Sequence, residues 1–308
     1  MIAPSILARS DELRAEYQSA KPFRHLCLDG FLEPQVAEAL LKEFPAFDPE
    51  FAKDEMGRVG GKAVHTDLRS LGPAYRGFYD YMCTPAFLGA MSGMLGVPDL
   101  RFDPAMFGGG THDNLEGQEL DPHVDFNYDP RLGMHRRLNL LIYLNREWDL
   151  SWGGGIELHS DPRDWDGDQV TSFNCEFNRG VIFETNEHSW HGFPRIRLPA
   201  DKHGLSRKCI SVYLYTRHRP KEEQAPPHGT FYVQRPLPKH IGVGHILSAG
   251  DLDEIKRLLI FRDGWIRFYQ KRELDQARER QSLLRYASSR GRSLLRRMWR
   301  VLWRLFNR

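Results

Sequence analysis

The chain changes its hydrophobic rhythm near Pro98. From Phe23 to Val97 apolar positions recur mostly at helical spacing. "FRHLCLDGFLEPQVAEALLKEFPAF" reads as a strand, a turn and a helix, with Pro34 in the first helical turn and Val36, Leu40, Leu41 and Phe44 on one face. "LGPAYRGFYDYMCTPAFLGAMSGMLGV" reads as two helices, the second opened by Pro85. Beyond Pro98 the runs shorten. "LRFDPAMFG", "RLNLLIYLN", "GGIELHS", "RGVIFET" and "KCISVYLYTR" are rich in Val, Ile, Leu, Phe and Tyr and are bounded by Gly, Asp, Asn and Pro. Most have no helical pattern between them, which predicts an antiparallel sandwich or barrel rather than βαβ units. Residues 1–20 are expected as a polar lead. "HRPKEEQAPPHGTFYVQRPLPKHI" is expected as an extended connection, and a helical region is expected from Ser248 onward.

Composition agrees with a fold that is mainly β with flanking helices. Of the 308 residues 41% are hydrophobic, enough for a sizeable core, and 27 Gly with 19 Pro imply many turns. The expected division is residues 1–98 as a helical and strand support region and 99–220 as the β core. Residues 221–270 follow as a connection and a helix packed on the core, and 271–308 as a basic tail. Cys27, Cys83, Cys175 and Cys209 form no CxxC pair and are expected as reduced, mostly buried thiols. No apolar run reads as a secretory signal or a membrane span, so a cytoplasmic location is expected.

The candidate chemistry starts at "LDPHVDFNYDP", where His123 and Asp125 stand two apart after the glycine-rich "MFGGGTHDNLEGQEL". That glycine-rich run lacks the Gly-Lys-Ser/Thr of a phosphate loop and is expected as a flexible loop at the mouth of the core; His112 and Asn127 are expected as solvated loop residues, with a place facing that mouth as the alternative. A third ligand is offered downstream by His188 or His191. Two imidazoles and one carboxylate on one face of a metal leave three positions open, the arrangement of non-haem Fe(II) oxygenases. A bidentate 2-oxo acid fills two of them and dioxygen the third. The far carboxylate of such an acid needs a cation, and Arg207, opening the next strand, can hold it through a charge-assisted fork. Arg195 and Arg197 compete for that role. Tyr143 can add a hydroxyl donor, and Asn139, of the same strand parity, is a further candidate for the co-substrate or the substrate. Arg136 or Arg137 is expected either to reach an anionic substrate or to form a surface salt bridge. Trp148, Trp152 and Trp190 are expected in the core.

Taken in order, "HVDFN", "RRLNLLIYLN", "GGGIELHS", "FNRGVIFETNEHSWHGFP" and "RKCISVYLYT" resemble the iron(II)/2-oxoglutarate-dependent dioxygenases of the prolyl-4-hydroxylase-like group, over roughly residues 100–217. The resemblance implies a double-stranded β-helix (a jelly roll) with helices outside. It implies His123, Asp125 and His191 as iron ligands, Arg207 and Tyr143 as binders of the distal 2-oxoglutarate carboxylate, and Ile156 as an apolar wall of that pocket. It matches His191 through "SWHG", and strand parity puts His188 on the opposite face. The implied cofactors are Fe(II), 2-oxoglutarate and O2, with ascorbate as an accessory reductant, and the implied reaction hydroxylates an unactivated C–H bond with release of succinate and CO2. The substrate is expected to be lipid- or glycan-linked, with prolyl hydroxylation of a protein as the alternative. A reading of a different class is a metal-binding jelly roll or adaptor without oxygenase chemistry, docked by its C-terminal helix.

Charge adds the last feature. From Lys271 onward there are twelve Lys/Arg against three Asp/Glu, leaving 31 against 38 in the rest of the chain. In "GRSLLRRMWRVLWRLFNR" Leu295, Met298, Leu302, Leu305 and Phe306 fall at helical spacing, with arginines over most of the other side. A basic amphipathic helix with tryptophans fits the surface of an anionic membrane, so peripheral attachment to the inner membrane surface is the leading expectation, with docking to a partner or folding back on the domain as alternatives; nucleic acid is not expected.

Overall fold

A computed structural model of the chain describes residues 1–52 and 62–306, with side chains as far as residue 282. It divides into two compact units, Met1–Pro236 and Leu237–Arg308.

Among its described residues the first unit holds six α-helices: α1 (Pro4–Leu7), α2 (Ser10–Ser19), α3 (Pro34–Lys42), α4 (Leu68–Leu71), α5 (Pro73–Met82) and α6 (Pro85–Leu95). Its strands are β1 (His25–Leu28), β2 (Lys62–His65), β3 (Arg101–Phe102), β4 (Gly110–Asn114), β5 (Leu120–Val124), β6 (Tyr128–Asp129), β7 (Met134–Tyr143), β8 (Ile156–His159), β9 (Val170–Phe173), β10 (Gly180–Glu184), β11 (Trp190–Phe193), β12 (Arg207–Thr216) and β13 (Phe231–Tyr232). All pair antiparallel in two sheets. The larger runs β1-β10-β7-β12-β4-β2, with β3 and β6 on its margins, and the smaller runs β13-β5-β11-β8-β9. From β4 to β12 the chain steps between them, visiting the larger sheet at β4, β7, β10 and β12 and the smaller at β5, β8, β9 and β11. That alternation is a double-stranded β-helix, and among the described residues its two sheets stay separate rather than closing into a barrel.

Strand periodicity explains why the larger sheet has two buried faces. Leu138, Leu140, Ile142 and Leu144 of β7 and its end, with Ile210, Val212 and Leu214 of β12, pack in one cluster with α2, α3, α5 and α6. The alternate residues Leu141, Tyr143 and Cys209 turn the other way and pack with Ile156, Leu158, Phe183 and Phe193 between the sheets.

Three expectations are corrected. Residues 1–20 are not a polar lead: α2 buries Leu13 and Tyr17, four residues apart on one face, and Arg14 Nε and Gln18 Nε2 donate to the Gly93 and Leu95 carbonyls at the end of α6 (2.7 and 3.1 Å). "MFGGGTHD" is a loop only as far as Gly109; Gly110 starts β4, whose Thr111, His112, Asp113 and Asn114 are all buried. In "LRFDPAMFG" only Arg101 and Phe102 pair as strand. Asp103 then takes the amides of Ala105 and Phe107 (2.9 and 3.0 Å) and turns the chain.

The second unit is built on one long helix, α7 (Ala249–Phe306). Ser248 and Asp251 cap its start reciprocally: Ser248 Oγ accepts from Asp251 N (3.1 Å) and Asp251 Oδ2 accepts from Ser248 N (2.8 Å). The apolar face expected at Leu295 to Phe306 lies outside the described side chains. No described helix is long and apolar enough to cross a membrane.

Candidate active site

Antiparallel pairing sets His123 of β5 directly opposite His191 of β11, with ring centroids 4.2 Å apart. Asp125 follows the end of β5. Its Oδ1 lies 3.8 Å from His123 Nε2 and its Oδ2 3.5 Å from His191 Nε2, and the three candidate ligand atoms all fall within 4.8 Å of one another. Both rings are fixed from behind. His123 Nδ1 meets the Asp121 carbonyl at 3.0 Å and His191 Nδ1 meets the Ser189 carbonyl at 2.8 Å. A carbonyl only accepts, so each Nδ1 carries the proton and each Nε2 turns a lone pair toward Asp125.

Electrostatics keeps the donor set in ligand form. Burial, with His191 alongside, pushes the His123 pKa down to about 3, and burial also lowers that of His191. Burial would raise Asp125, but Arg136, His191 and His123 outweigh it and hold the carboxyl well below its ordinary range. Two neutral imidazoles and a carboxylate at this spacing fit a divalent transition metal. His188, the rival, is exposed.

Across the interior, Arg207 opens β12 and is 3% exposed. Its Nη2 donates to Tyr143 Oη (3.0 Å), its Nη1 to Asn114 Oδ1 (3.2 Å) and its Nε to the Gly154 carbonyl (2.6 Å). The guanidinium carbon sits 4.3 Å from the centre of the Phe193 ring. All these partners are neutral. Among the described residues no carboxylate lies within salt-bridge distance of Arg207, so a buried cation stands beside an apolar wall that includes Ile156. Arg195 is half-buried and Arg197 exposed. The approach of Arg207 depends on glycine: Gly154 adopts φ +75°, and a Cβ there would stand 3.2 Å from both Arg207 Cδ and Trp148 Cζ2 and 3.1 Å from Ile196 Cγ1.

Asn139 and Tyr143 face the same side of β7 but reach different ends of the interior. Asn139 Nδ2 donates to Asp125 Oδ2 at 2.8 Å, and its Oδ1 accepts from Arg136 Nε and Nη2 at 3.1 and 2.8 Å. Its amide is therefore committed to a candidate ligand. Arg136 is neither at the surface nor open to an anionic substrate: it is 3% exposed, and its Nη2 lies 3.0 Å from Asp125 Oδ2. Arg137 instead pairs with Glu223 at 2.7 Å.

Several polar residues of the interior carry no strong sequence signal. Asn114, on a strand without apolar alternation, is one, and Gly154 acts through its backbone alone. His112 is buried in β4 rather than open at the mouth. Its Nε2–H donates to the Gly108 carbonyl (3.1 Å), which leaves Nδ1 to accept from Ser211 Oγ (3.2 Å). Asn127 is buried too and holds the segment before β13: Nδ2 donates to the Pro226 carbonyl (3.0 Å) and Oδ1 accepts from His228 N (3.1 Å). That segment leads to Tyr232, which pairs with His123 and stacks on its ring at 5.1 Å. Trp148 and Trp190 are buried, and Trp152 packs edge-on against Trp148.

Residues 110–215, which span all eight strands of the β-helix, match the model of the 2OG-Fe(II) oxygenase superfamily. No curated protein matches the chain. Among solved structures the chain is similar to a prolyl hydroxylase from Trichoplax adhaerens, in complex with a hypoxia inducible factor peptide fragment (14% identity, 68% of this chain and 90% of that one, TM-score 0.48). It is similar to a prolyl 4-hydroxylase from Phytophthora capsici (17%, 84% and 75%, 0.48). It is also similar to HygX from Streptomyces hygroscopicus, solved with nickel and 2-oxoglutarate bound (12%, 77% and 98%, 0.43).

Proposed function

We propose that this chain, whose residues 110–215 form a 2OG-Fe(II) oxygenase domain, hydroxylates its substrate with His123, Asp125 and His191 as the iron ligands and Arg207 as the anchor of 2-oxoglutarate. The observation that carries the assignment of residues is the buried Arg207, with no carboxylate partner among the described residues, lying across the interior from a His-Asp-His cluster whose two histidines are buried. Bound Fe(II) and 2-oxoglutarate supply the oxidising power that inserts one oxygen atom of O2 into a C–H bond, while the other enters succinate as CO2 leaves.

The side chains do the rest. His123 and His191, neutral and with Nε2 turned inward, need lose no proton before binding a cation. Arg207 takes the distal carboxylate through its guanidinium, with Tyr143 Oη and Asn114 fixing its plane. Ile156, Leu158, Phe183 and Phe193 keep water from the space between, which strengthens each charged contact there. The test is succinate release from 2-oxoglutarate, dependent on Fe(II) and O2, together with stoichiometric anaerobic Fe(II) binding. Iron bound without any 2-oxoglutarate complex would transfer the lead to a jelly roll of another chemistry. Gly154→Ala is expected to weaken 2-oxoglutarate binding roughly tenfold, because overpacking by one methyl costs about 1–3 kcal/mol where neighbours cannot give way. A titration of 2-oxoglutarate into the Fe(II) protein measures it.

The substrate class rests on the tail. Eight arginines and no acidic residue follow Gln281, with apolar residues at helical spacing, and this supports a substrate presented at an anionic membrane surface, a lipid-linked molecule or glycan. Removing residues 291–308 is expected to release the protein from vesicles containing phosphatidylserine. Unchanged sedimentation would sink the membrane reading, and turnover of a prolyl peptide in its place would redirect the substrate search to proteins.

A further inference from the structure

Asp125 differs from the two histidines in what stands behind it. The imidazoles lean on neutral carbonyls, whereas one carboxylate oxygen, Oδ2, has two polar partners: it accepts from Asn139 Nδ2 at 2.8 Å and forms an ion pair with Arg136 Nη2 at 3.0 Å. Asn139 does not act alone, since its own Oδ1 is gripped by Arg136 Nε and Nη2. The guanidinium is held in turn by aromatic faces, 3.6 Å from the centre of the Tyr213 ring and 4.8 Å from that of Phe126. Asp125 is its only carboxylate partner among the described residues. A full positive charge, immobilised by stacking, is thus spent on one oxygen of one candidate ligand.

The geometry points to Arg136 as a positioning residue that keeps Asp125 a one-oxygen ligand and so reserves a coordination position for 2-oxoglutarate or O2; this rests on the reading of His123, Asp125 and His191 as the metal ligands. A carboxylate with both oxygens free binds a divalent ion through either one or two of them. With the Asn139 amide and the Arg136 cation both on Oδ2, turning that oxygen to the metal breaks a hydrogen bond and an ion pair and leaves a buried guanidinium unpaired. Oδ1 carries no comparable donor and remains to bind. The same cation, one residue removed from the metal, repels it and weakens its binding. Arg136 therefore trades metal affinity for an open position.

That trade gives a signature of opposite signs. In Arg136→Met, Asp125 gains freedom to chelate and loses the neighbouring cation. Anaerobic Mn(II) affinity without co-substrate is expected to rise about tenfold, while 2-oxoglutarate affinity of the Fe(II) protein, read from its visible charge-transfer band, falls about tenfold, on the scale at which outer partners of ligands act. Arg136→Lys, which keeps the charge, is expected to restore both affinities to within about threefold of wild type. Asn139→Ala removes one donor and keeps the cation, and is expected to move both in the direction of Arg136→Met by a smaller factor; it serves if Arg136→Met does not fold. If the two affinities fall together, or neither moves, Arg136 is part of the packing only and the proposal is overturned. A wild-type protein that binds no Mn(II) overturns the ligand assignment itself, a distinct outcome.

Discussion

Asp125→Ala is expected to abolish divalent-metal binding and 2-oxoglutarate turnover, and to lower the stability of the metal-free protein by about 3–5 kcal/mol. The second effect follows from Arg136. It is buried, stacked on Tyr213 and paired with no other carboxylate among the described residues, so removing Asp125 leaves an uncompensated charge in the interior. His123→Ala removes a ligand as well, but it deletes a neutral ring and orphans no ion. Its cost is expected to stay near that of a lost buried side chain, about 1–3 kcal/mol. Urea unfolding of both variants without metal, beside anaerobic Fe(II) titration, tests the pair. Equal destabilisation would show that Arg136 finds another counter-charge, and stoichiometric iron in either variant would remove that residue from the ligand set.

Arg207→Met is expected to behave in the opposite way, losing function while keeping the fold. Without co-substrate this cation has hydrogen bonds to Tyr143, Asn114 and Gly154 but no carboxylate, so an apolar side chain of similar length removes a desolvated charge as well as three bonds. The two changes oppose each other, and the melting temperature of the ligand-free protein should move little. Affinity for 2-oxoglutarate is expected to fall by about 2–5 kcal/mol, from roughly thirtyfold to several thousandfold, the range for breaking a buried charge pair. Succinate formation against 2-oxoglutarate concentration measures it. A protein that keeps its co-substrate affinity but unfolds readily would make Arg207 a structural residue.

Legibility in the sequence followed the hydrophobic rhythm. β7, β10 and β12 read as near-continuous apolar runs because each packs side chains on both faces of the larger sheet, and such runs are legible. β4 is not: Thr111, His112, Asp113 and Asn114 are buried polar residues on a strand whose neighbours, β2 and β12, lie far away in sequence, so it reads as loop. The helices of residues 1–20 are faint in sequence for a related reason. Only Leu13 and Tyr17 of α2 are buried, too thin an apolar stripe to stand out among ten mostly polar residues. At the site, the spacing of His123 and Asp125 was visible because both belong to one strand end. The burial of Arg136 is hidden, since a guanidinium that stacks on Tyr213, 77 positions along the chain, looks in sequence like any surface arginine beside Arg137.

The candidate metal ligands His123 and His191 belong to the smaller sheet, and Arg207, Tyr143 and Asn114 to the larger. A co-substrate held at one end by the metal and at the other by Arg207 would be a cross-brace between sheets whose contact is otherwise mostly apolar side chains. Its binding energy would then resist their separation as well as position the reaction. Stabilisation by a ligand bound only to the folded state grows by about 1.4 kcal/mol for each tenfold excess over its dissociation constant. The cell's supply of a small dicarboxylate would in that way set how long the fold endures, and the concentration that starves the reaction would also loosen the protein.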